Sequence, residues 1–523
     1  MTMFADGIKI GKLYYNLDDE TMTASVAASP DKYSGEVTIP ASVEYNSATY
    51  DVTSIGDQAF LNCTNLTTVT IKNGVKTIGA GAFTDCTSLS TVNLPNSVTS
   101  FEISAFVGCV GLKSLTLPNA LESIEAFSFE RTGLQTITIP NSVTYIGAGA
   151  FQSSSLQSIT LGTGITELPP FLFSGCYHLS SFTIPKHVTK VGHSGWYDVP
   201  GWGKTYTQPT EVFGYCEALT AIDVAADNPN YCSVDGVVYS KDMTEIVAFP
   251  CGKTHYTIPD NFEIIQRFAF SGWTGLESIT IPSSVYRFGY DAFRDCTNLK
   301  EVHVVDIKDW IGIYFEDGYQ LGSGVPGLLW YQYDPTSNPL YYGAHLYVNG
   351  TEIKDELVIP EGVERISAYN FFNYTSLTSV TFPKSLKRVY SRAFDGCTNL
   401  KKVNVNDLAD WCDIDFRQGT IVTYVNEDYS PLYEPARTSN PLVVGAHLYV
   451  NGTEIRDELV VPDGVTKIGE NSFYGYSALE SVTLPDGVTS IGNYAFAYCS
   501  SLTSINIPNG VTSIGDYAFQ YCI

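Results

Sequence analysis

The sequence predicts a β-rich α/β fold, an elongated solenoid of about 14 coils, each with a short parallel strand and a short helical turn. Three observations predict it. A phrase of the form Ile-Pro-x-x-Val-x-x-Ile-Gly-x-x-Ala-Phe-x-x-Cys-x-x-Leu-x-x-Val-x-Ile-Pro recurs along the chain, running clean from Ile71 to Pro95 and again from Ile507 to Cys522. Its Phe slot is filled 14 times, at Phe60, Phe83, Phe106, Phe129, Phe151, Phe173, Phe213, Phe270, Phe293, Phe371, Phe394, Phe473, Phe496 and Phe519. Most neighbouring slots lie 22 or 23 residues apart, and a unit that short buries its apolar face only by stacking on the next.

Within one unit each element has a local cause. In Leu66–Ile71 the apolar residues alternate, so Val69 and Ile71 face a core and Thr70 faces out. Lys72-Asn73-Gly74 reads as a turn, Val75 and Ile78 as a second extended edge, and Gly79 as a tight corner. Ala82-Phe83-x-x-Cys86 has the i, i+3 spacing of one helical turn with Phe and Cys inward, and Leu89 closes the coil. The outward strand positions form a column: Thr70, Asn93, Thr116, Thr138, Thr160, Thr183, Asp223, Thr280, His303, Thr381, Asn404, Thr483 and Asn506. Such a face binds ligands in many solenoids, yet so uniform a Thr column also simply suits β-structure.

Residues 1–36 escape the period and read as an N-terminal β-hairpin cap around Asp18-Asp19, followed by a single solenoid over 37–523 with insertions at 193–212, 227–258, 314–345 and 416–447. The first insertion holds Trp196, Tyr197, Trp202 and Tyr206 among Gly and Pro, an aromatic loop fit to grip a ligand or to cover a coil edge. The second reads as extra strands around Asp235-Gly236. The last two belong to a block of roughly 102 residues present twice: Asn338 to Pro360 reappears as Asn440 to Pro462, and Asp309-Trp310 as Asp410-Trp411. Asn349-Gly350 and Asn451-Gly452 are hairpin turns. The copies diverge most in 316–336 against 417–437, where one holds Trp330, Tyr331 and Tyr333 and the other Tyr424, Tyr429 and Tyr433. Ligand contact and a relaxed surface loop both fit that divergence.

Apolar residues make up 44% of the chain and charged residues only 16%, so the polar surface is largely Thr, Ser, Asn and Tyr. The 35 Tyr suit recognition surfaces, though they also pad coil rims. A net charge of −26 repels phosphate backbones and anionic membranes, which disfavours nucleic acid and lipid surfaces as partners. No apolar run is long enough to insert in a membrane, and the first residues lack a signal-peptide pattern. Ile523 falls halfway through a repeat, as expected of a shortened chain. Nine of the twelve Cys (Cys63, Cys86, Cys109, Cys176, Cys216, Cys296, Cys397, Cys499, Cys522) share one slot and read as buried thiols. Cys232 and Cys251 read as off the register, and their pairing is left open.

No catalytic, metal or cofactor motif stands in a suitable context. Gly322-Ser-Gly324-Val-Pro-Gly327 matches a dinucleotide-binding pattern by letters alone, with Pro326 spoiling a helix entry. His345 and His447 lie in strand-like runs and read as structural. The expectation is a protein that is not an enzyme and needs no cofactor or metal.

The unit Ile-Gly-x-x-Ala-Phe-x-x-Cys-x-x-Leu-x-x-Val-x-Ile-Pro resembles the BspA-like leucine-rich repeat family of bacterial surface proteins over about residues 37–523. The Asn228-Pro-Asn-Tyr231 segment and the Leu-Tyr-Val-Asn-Gly-Thr-Glu-Ile hairpins look like insertions of that family. The resemblance implies an exported, cell-surface protein of an anaerobic host-associated bacterium that binds host matrix proteins or other cells. It supplies no residue-level binding motif. A carbohydrate-binding surface protein using the aromatic loops is the alternative, and an inert structural scaffold the second.

Overall fold

The alternation in Leu66–Ile71 becomes a strand with Val69 and Ile71 buried, pairing in parallel with Gly35–Ile39 on one side and Thr91–Asn93 on the other. This computed structural model describes residues 7–192, 195–199, 203–207, 209–316, 336–416, 422–424, 431–433 and 439–522, with backbone alone for 195–199, 203–207, 209–210, 422–424 and 431–433. The second extended edge is the short strand Thr77–Ile78, paired in parallel with Ala48–Ile55 and Ser100–Phe101. Two parallel ladders thus run along the stack, one from each edge of the coil.

The segment read as a helical turn is a third ladder, built of β-turns. Gly81 and Asp85 have φ of 59° and 56°, in the left-handed region, so no helix can propagate. Ala82 and Cys86 bond back three residues, to Gly79 and Phe83, while the N–H groups of Gly81, Phe83 and Asp85 reach the carbonyls of Ile103, Ala105 and Val107 in the next coil. Alternating the sign of φ aims every second N–H along the stack, and that is why helix is sparse in this fold.

The slot Phe rings stack in this ladder: Phe60 to Phe83 at 4.9 Å, Phe83 to Phe106 at 5.1 Å and Phe106 to Phe129 at 5.5 Å, within 13° of parallel. The slot Cys is more than a small filler. The thiols of Cys86, Cys109, Cys397 and Cys499 donate to the carbonyls of Phe60, Phe83, Phe371 and Phe473, one coil back, at 3.0–3.1 Å. Burial pushes the Cys86, Cys397 and Cys499 thiols up to about 12. The expectation for Cys251 needs correcting. It occupies the slot, its Sγ 3.3 Å from Phe213 O, whereas Cys232 lies 3.4 Å from the Met243 sulfur, and all twelve thiols are free.

The chain forms two compact units, one running to Thr254 and including Phe270–Leu276, the other comprising His255–Ala269 and the residues from Glu277 on. At the start, Leu13–Asp18 and Thr23–Ala27 pair antiparallel, and Thr23–Ala27 joins Ala48–Ile55 in parallel. In the first unit Tyr231–Val234 and Val237–Ser240 make a hairpin whose turn residues Asp235 and Gly236 have φ of 51° and 75°, the mirror-image turn that matches strand twist.

In the second unit each duplicated block carries a short helix, α1 (Ile307–Gly312) or α2 (Leu408–Cys412), capped by Asp306 or Asp407. A 3₁₀ turn follows, Pro339–Tyr342 or Pro441–Val444, and then the strand His345–Val348 or His447–Val450, which stacks in parallel on the coil before it. The solenoid has about 17 turns rather than 14; the additions include these two enlarged coils and the coil of Cys251, which carry no slot Phe.

Candidate binding surfaces

The outward column is real and solvent-facing. In the first unit Thr38, Thr70 and Asn93 stand in register, as do Thr138 with Thr160 and Thr183 with Asp223. Thr116 departs from expectation. Residues 114–117 pair with neither Thr91–Asn93 nor Thr136–Thr138, and a polar cleft of about 440 Å³ opens beside them, lined by Thr91, Asn93, Asn96, Ser114, Thr116 and Asn119 among others. The opposite ladder, through Ile78, Phe101 and Ile124, stays closed there, so the coils fan apart on the Thr side only.

In the second unit the column runs Thr257, Thr280, His303, Tyr347 and then Thr381, Asn404, Tyr449. Each run ends on an aromatic ring supplied by an enlarged coil. Tyr347 stacks on His303 at 4.8 Å, and Lys402 Nζ lies 5.3 Å over the Tyr449 ring. Beside them, His345 Nδ1 is 2.7 Å from Glu352 Oε1 and His447 Nδ1 is 2.8 Å from Glu454 Oε1, so both exposed His tie down their hairpins.

The ten candidate ligand-binding residues fall unevenly. Trp196, Tyr197 and Tyr206 lie on an antiparallel ribbon, Gly195–Val199 with Gly203–Thr207, whose register sets Trp196 opposite Tyr206 and Tyr197 opposite Thr205. Tyr424 and Tyr433 lie on a second ribbon, opposite Pro431 and Val422. Trp202, Trp330, Tyr331, Tyr333 and Tyr429, and the Gly322–Gly327 pattern, lie outside the described residues. The bonds that close the coils stand on either side of these insertions. Gly192 N–H reaches Leu168 O at 2.7 Å before the first, and Phe173 N–H reaches Val212 O at 2.9 Å after it. Within the third, Glu316 N–H to Phe288 O and Phe293 N–H to Thr336 O do the same at the two ends of the divergent stretch 316–336.

Two tyrosine features escaped the sequence reading. Tyr374 and Tyr476 replace Cys in the slot after each enlarged coil. Their hydroxyls donate to Ile353 O and Ile455 O at 2.5 Å and accept from Leu346 and Leu448 N–H, which ties the hairpin to the core. The replacement of Cys by Tyr at these two positions was the available signal. The second feature is a strip on the turn ladder of the last coils, where Tyr474, Tyr494, Tyr498, Tyr517 and Tyr521 lie ring against ring at 4.8–6.4 Å. Burial, then the neighbouring Tyr498 and Tyr494, raises the Tyr474 hydroxyl to about 12. Among the described residues no group of three His, Cys, Asp or Glu is placed to hold a metal, and no helix is long and apolar enough to cross a membrane.

The sequence profile of the BspA type leucine rich repeat region matches residues 40–154, 101–200, 247–316, 344–417 and 445–523, well over half of the chain. No curated protein matches it. Among solved structures, the chain is similar to a leucine rich cell surface protein of Faecalibacterium prausnitzii, with 24% identity over 79% of this chain and 98% of that one and a TM-score of 0.49. A leucine-rich repeat protein of Bacteroides ovatus has 23% identity over 99% and 92%, with a TM-score of 0.40. The pneumococcal vaccine antigen PcpA has 16% identity over 98% and 100%, with a TM-score of 0.43. The stacked coils, the repeated Phe and Cys slots and the extent of the profile match together place this chain in the BspA-type leucine-rich repeat family.

Proposed function

We propose that the chain is a non-enzymatic protein of the bacterial cell surface that binds protein ligands, either host matrix proteins or proteins on other cells. The observation that carries this reading is the coil closure on both sides of the aromatic insertions. The backbone ladder is complete without the ribbon holding Trp196, Tyr197 and Tyr206, and an aromatic-rich ribbon added to a finished ladder suits recognition. Trp202, Trp330, Tyr331, Tyr333, Tyr424, Tyr429 and Tyr433 belong to the same proposal. The alternative, carbohydrate binding, rests on the same aromatic insertions, since Trp and Tyr rings stack on sugars. Screening the full chain against immobilised matrix proteins and a glycan array separates the two, and Trp196→Ala with Trp202→Ala locates the site. Loss of matrix-protein binding in that variant supports the reading, while unchanged binding removes the ribbon as the site. Silence on both arrays favours an inert scaffold.

A further inference from the structure

The turn ladder offers two slots per coil that require positive φ, and small or polar residues fill many of them: Asn62, Asp85, Gly108, Ser153, Gly175, Gly396 and Gly475. Large side chains there are strained, and earlier in the chain some are packed while others, such as Arg131 (φ 53°) and Tyr215 (φ 59°), face solvent. Phe127 (φ 57°) and Phe171 (φ 60°) join Val107, Ala126 and Ala148 in a small apolar cluster outside the main core.

The last two coils differ from every earlier described coil in having aromatic residues at both slots. Tyr494, Tyr498, Tyr517 and Tyr521 fill all four such slots, with φ of 54–61°. Tyr494 and Tyr498 are only half-buried, and Tyr517 and Tyr521 are each 58% exposed. The rings stack on one another, Tyr494 on Tyr517 at 5.1 Å and Tyr498 on Tyr521 at 4.8 Å, forming a strip beside Glu470 and Asp516, the carboxylates whose charge acts on Tyr494.

Charge decides what can lie on it. Between Val461 and Cys522 the only basic side chain is Lys467, against Asp463, Glu470, Glu480, Asp486 and Asp516. Lys467 is already paired with Asp413 and Asp415. Phenol rings bordered by carboxylates attract cations and accept hydrogen bonds from guanidinium and ammonium groups. We propose that this tyrosine strip docks an arginine- or lysine-bearing segment of a partner protein. The proposal deepens, and rests on, the protein-binding reading above, but assigns it a different surface and a basic partner.

The test uses the full chain and a fluorescein-labelled Arg-Gly repeat peptide, read by fluorescence anisotropy, beside a Glu-Gly control peptide. The parent should bind the Arg peptide and not the control, more weakly as salt is added. Tyr494→Asn, Tyr498→Asn, Tyr517→Asn and Tyr521→Asn combined should weaken binding about tenfold, at exposed cation–π strength. Asn tolerates positive φ, so this variant should melt no lower than the parent. It also leaves the net charge unchanged, so mere attraction to an acidic chain predicts no loss. Equal Arg-peptide binding by parent and variant overturns the strip. If matrix-protein binding survives in that variant and falls with Trp196→Ala and Trp202→Ala, the strip alone has failed. If no protein binds the parent, the broader reading fails with it.

Discussion

The two duplicated blocks of the second unit share a frame and differ on its outside. In both, a buried Trp on the short helix donates its ring N–H to a carbonyl of the coil after the hairpin, Trp310 to Asn370 at 3.1 Å and Trp411 to Ser472 at 3.0 Å. In both, a buried Asn caps the 3₁₀ turn and reaches the same coil, Asn338 to Tyr369 O and Asn440 to Asn471 O. The side chain that answers the end of the helix has changed type but not position. Asn370 donates to Trp310 O and Ile313 O in the first block, and its counterpart Ser472 donates to Ile414 O, the counterpart of Ile313 O, in the second. The fold therefore constrains which carbonyls are satisfied more tightly than which residue satisfies them. Outside the frame, Tyr341, Tyr342 and Phe372 face Val443, Val444 and Tyr474 as counterparts, with no such conservation of contacts.

The largest test of that equivalence is removal of the anchor. Trp310→Ala and Trp411→Ala should each cost about 3–5 kcal/mol, from lost packing, a cavity and an unanswered carbonyl, read by urea unfolding. Similar losses would show one device used twice. A loss at one site below half that at the other would break the equivalence.

A smaller effect comes from acid. Burial pushes the Glu316 carboxyl up, but bonds from Arg287, the Tyr290 N–H and Arg267 outweigh it, leaving its pKa below the usual value. In the second block Asp413 is likewise raised by burial and lowered more by Lys387 and Lys467. A depressed folded pKa gives stability that is present above the unfolded value of about 4 and lost as pH falls through the folded value. The melting temperature should hold above about pH 5 and drop below about pH 4, with Glu316→Gln and Asp413→Asn each flattening part of that drop. An acid limb unchanged by both would show that these pairs are not what acid removes.

The repeat made the fold legible because Phe, Cys and Gly recur for reasons internal to one coil. Val69 and Ile71 were readable as core, and Asn349-Gly350 as a turn. The turn ladder was not: i, i+3 spacing fits a helix and a run of β-turns equally, and only the positive φ at Gly81 and Asp85 separates them. Cys251 hid because an insertion stretched the spacing from Phe213 until its slot no longer showed, although the thiol bond is the ordinary one. The surfaces were half-legible. Breaks in the period pointed to the ribbon of Trp196 and Tyr206. The tyrosine strip lies where the period is kept, and a search for breaks passes over it.

The mildest test exchanges what the two blocks do not share. Tyr342 Oη accepts the Asp295 N–H at 2.9 Å, and the Tyr341 ring lies 4.9 Å from Tyr342 and 6.2 Å from Phe372. Tyr341→Val with Tyr342→Val installs the residues of the second block. The exchange should cost only about 1 kcal/mol, because Asp295 is partly exposed and water can replace the lost acceptor. The reverse pair, Val443→Tyr with Val444→Tyr, should change stability by less than about 0.5 kcal/mol, since Val443 is 41% exposed and has room for a ring in solvent. Urea midpoints of both variants measure this. A cost above about 2 kcal/mol in the first would make the Tyr341 cluster part of the core, and the divergence between the blocks would then reflect repacking rather than freedom at the surface.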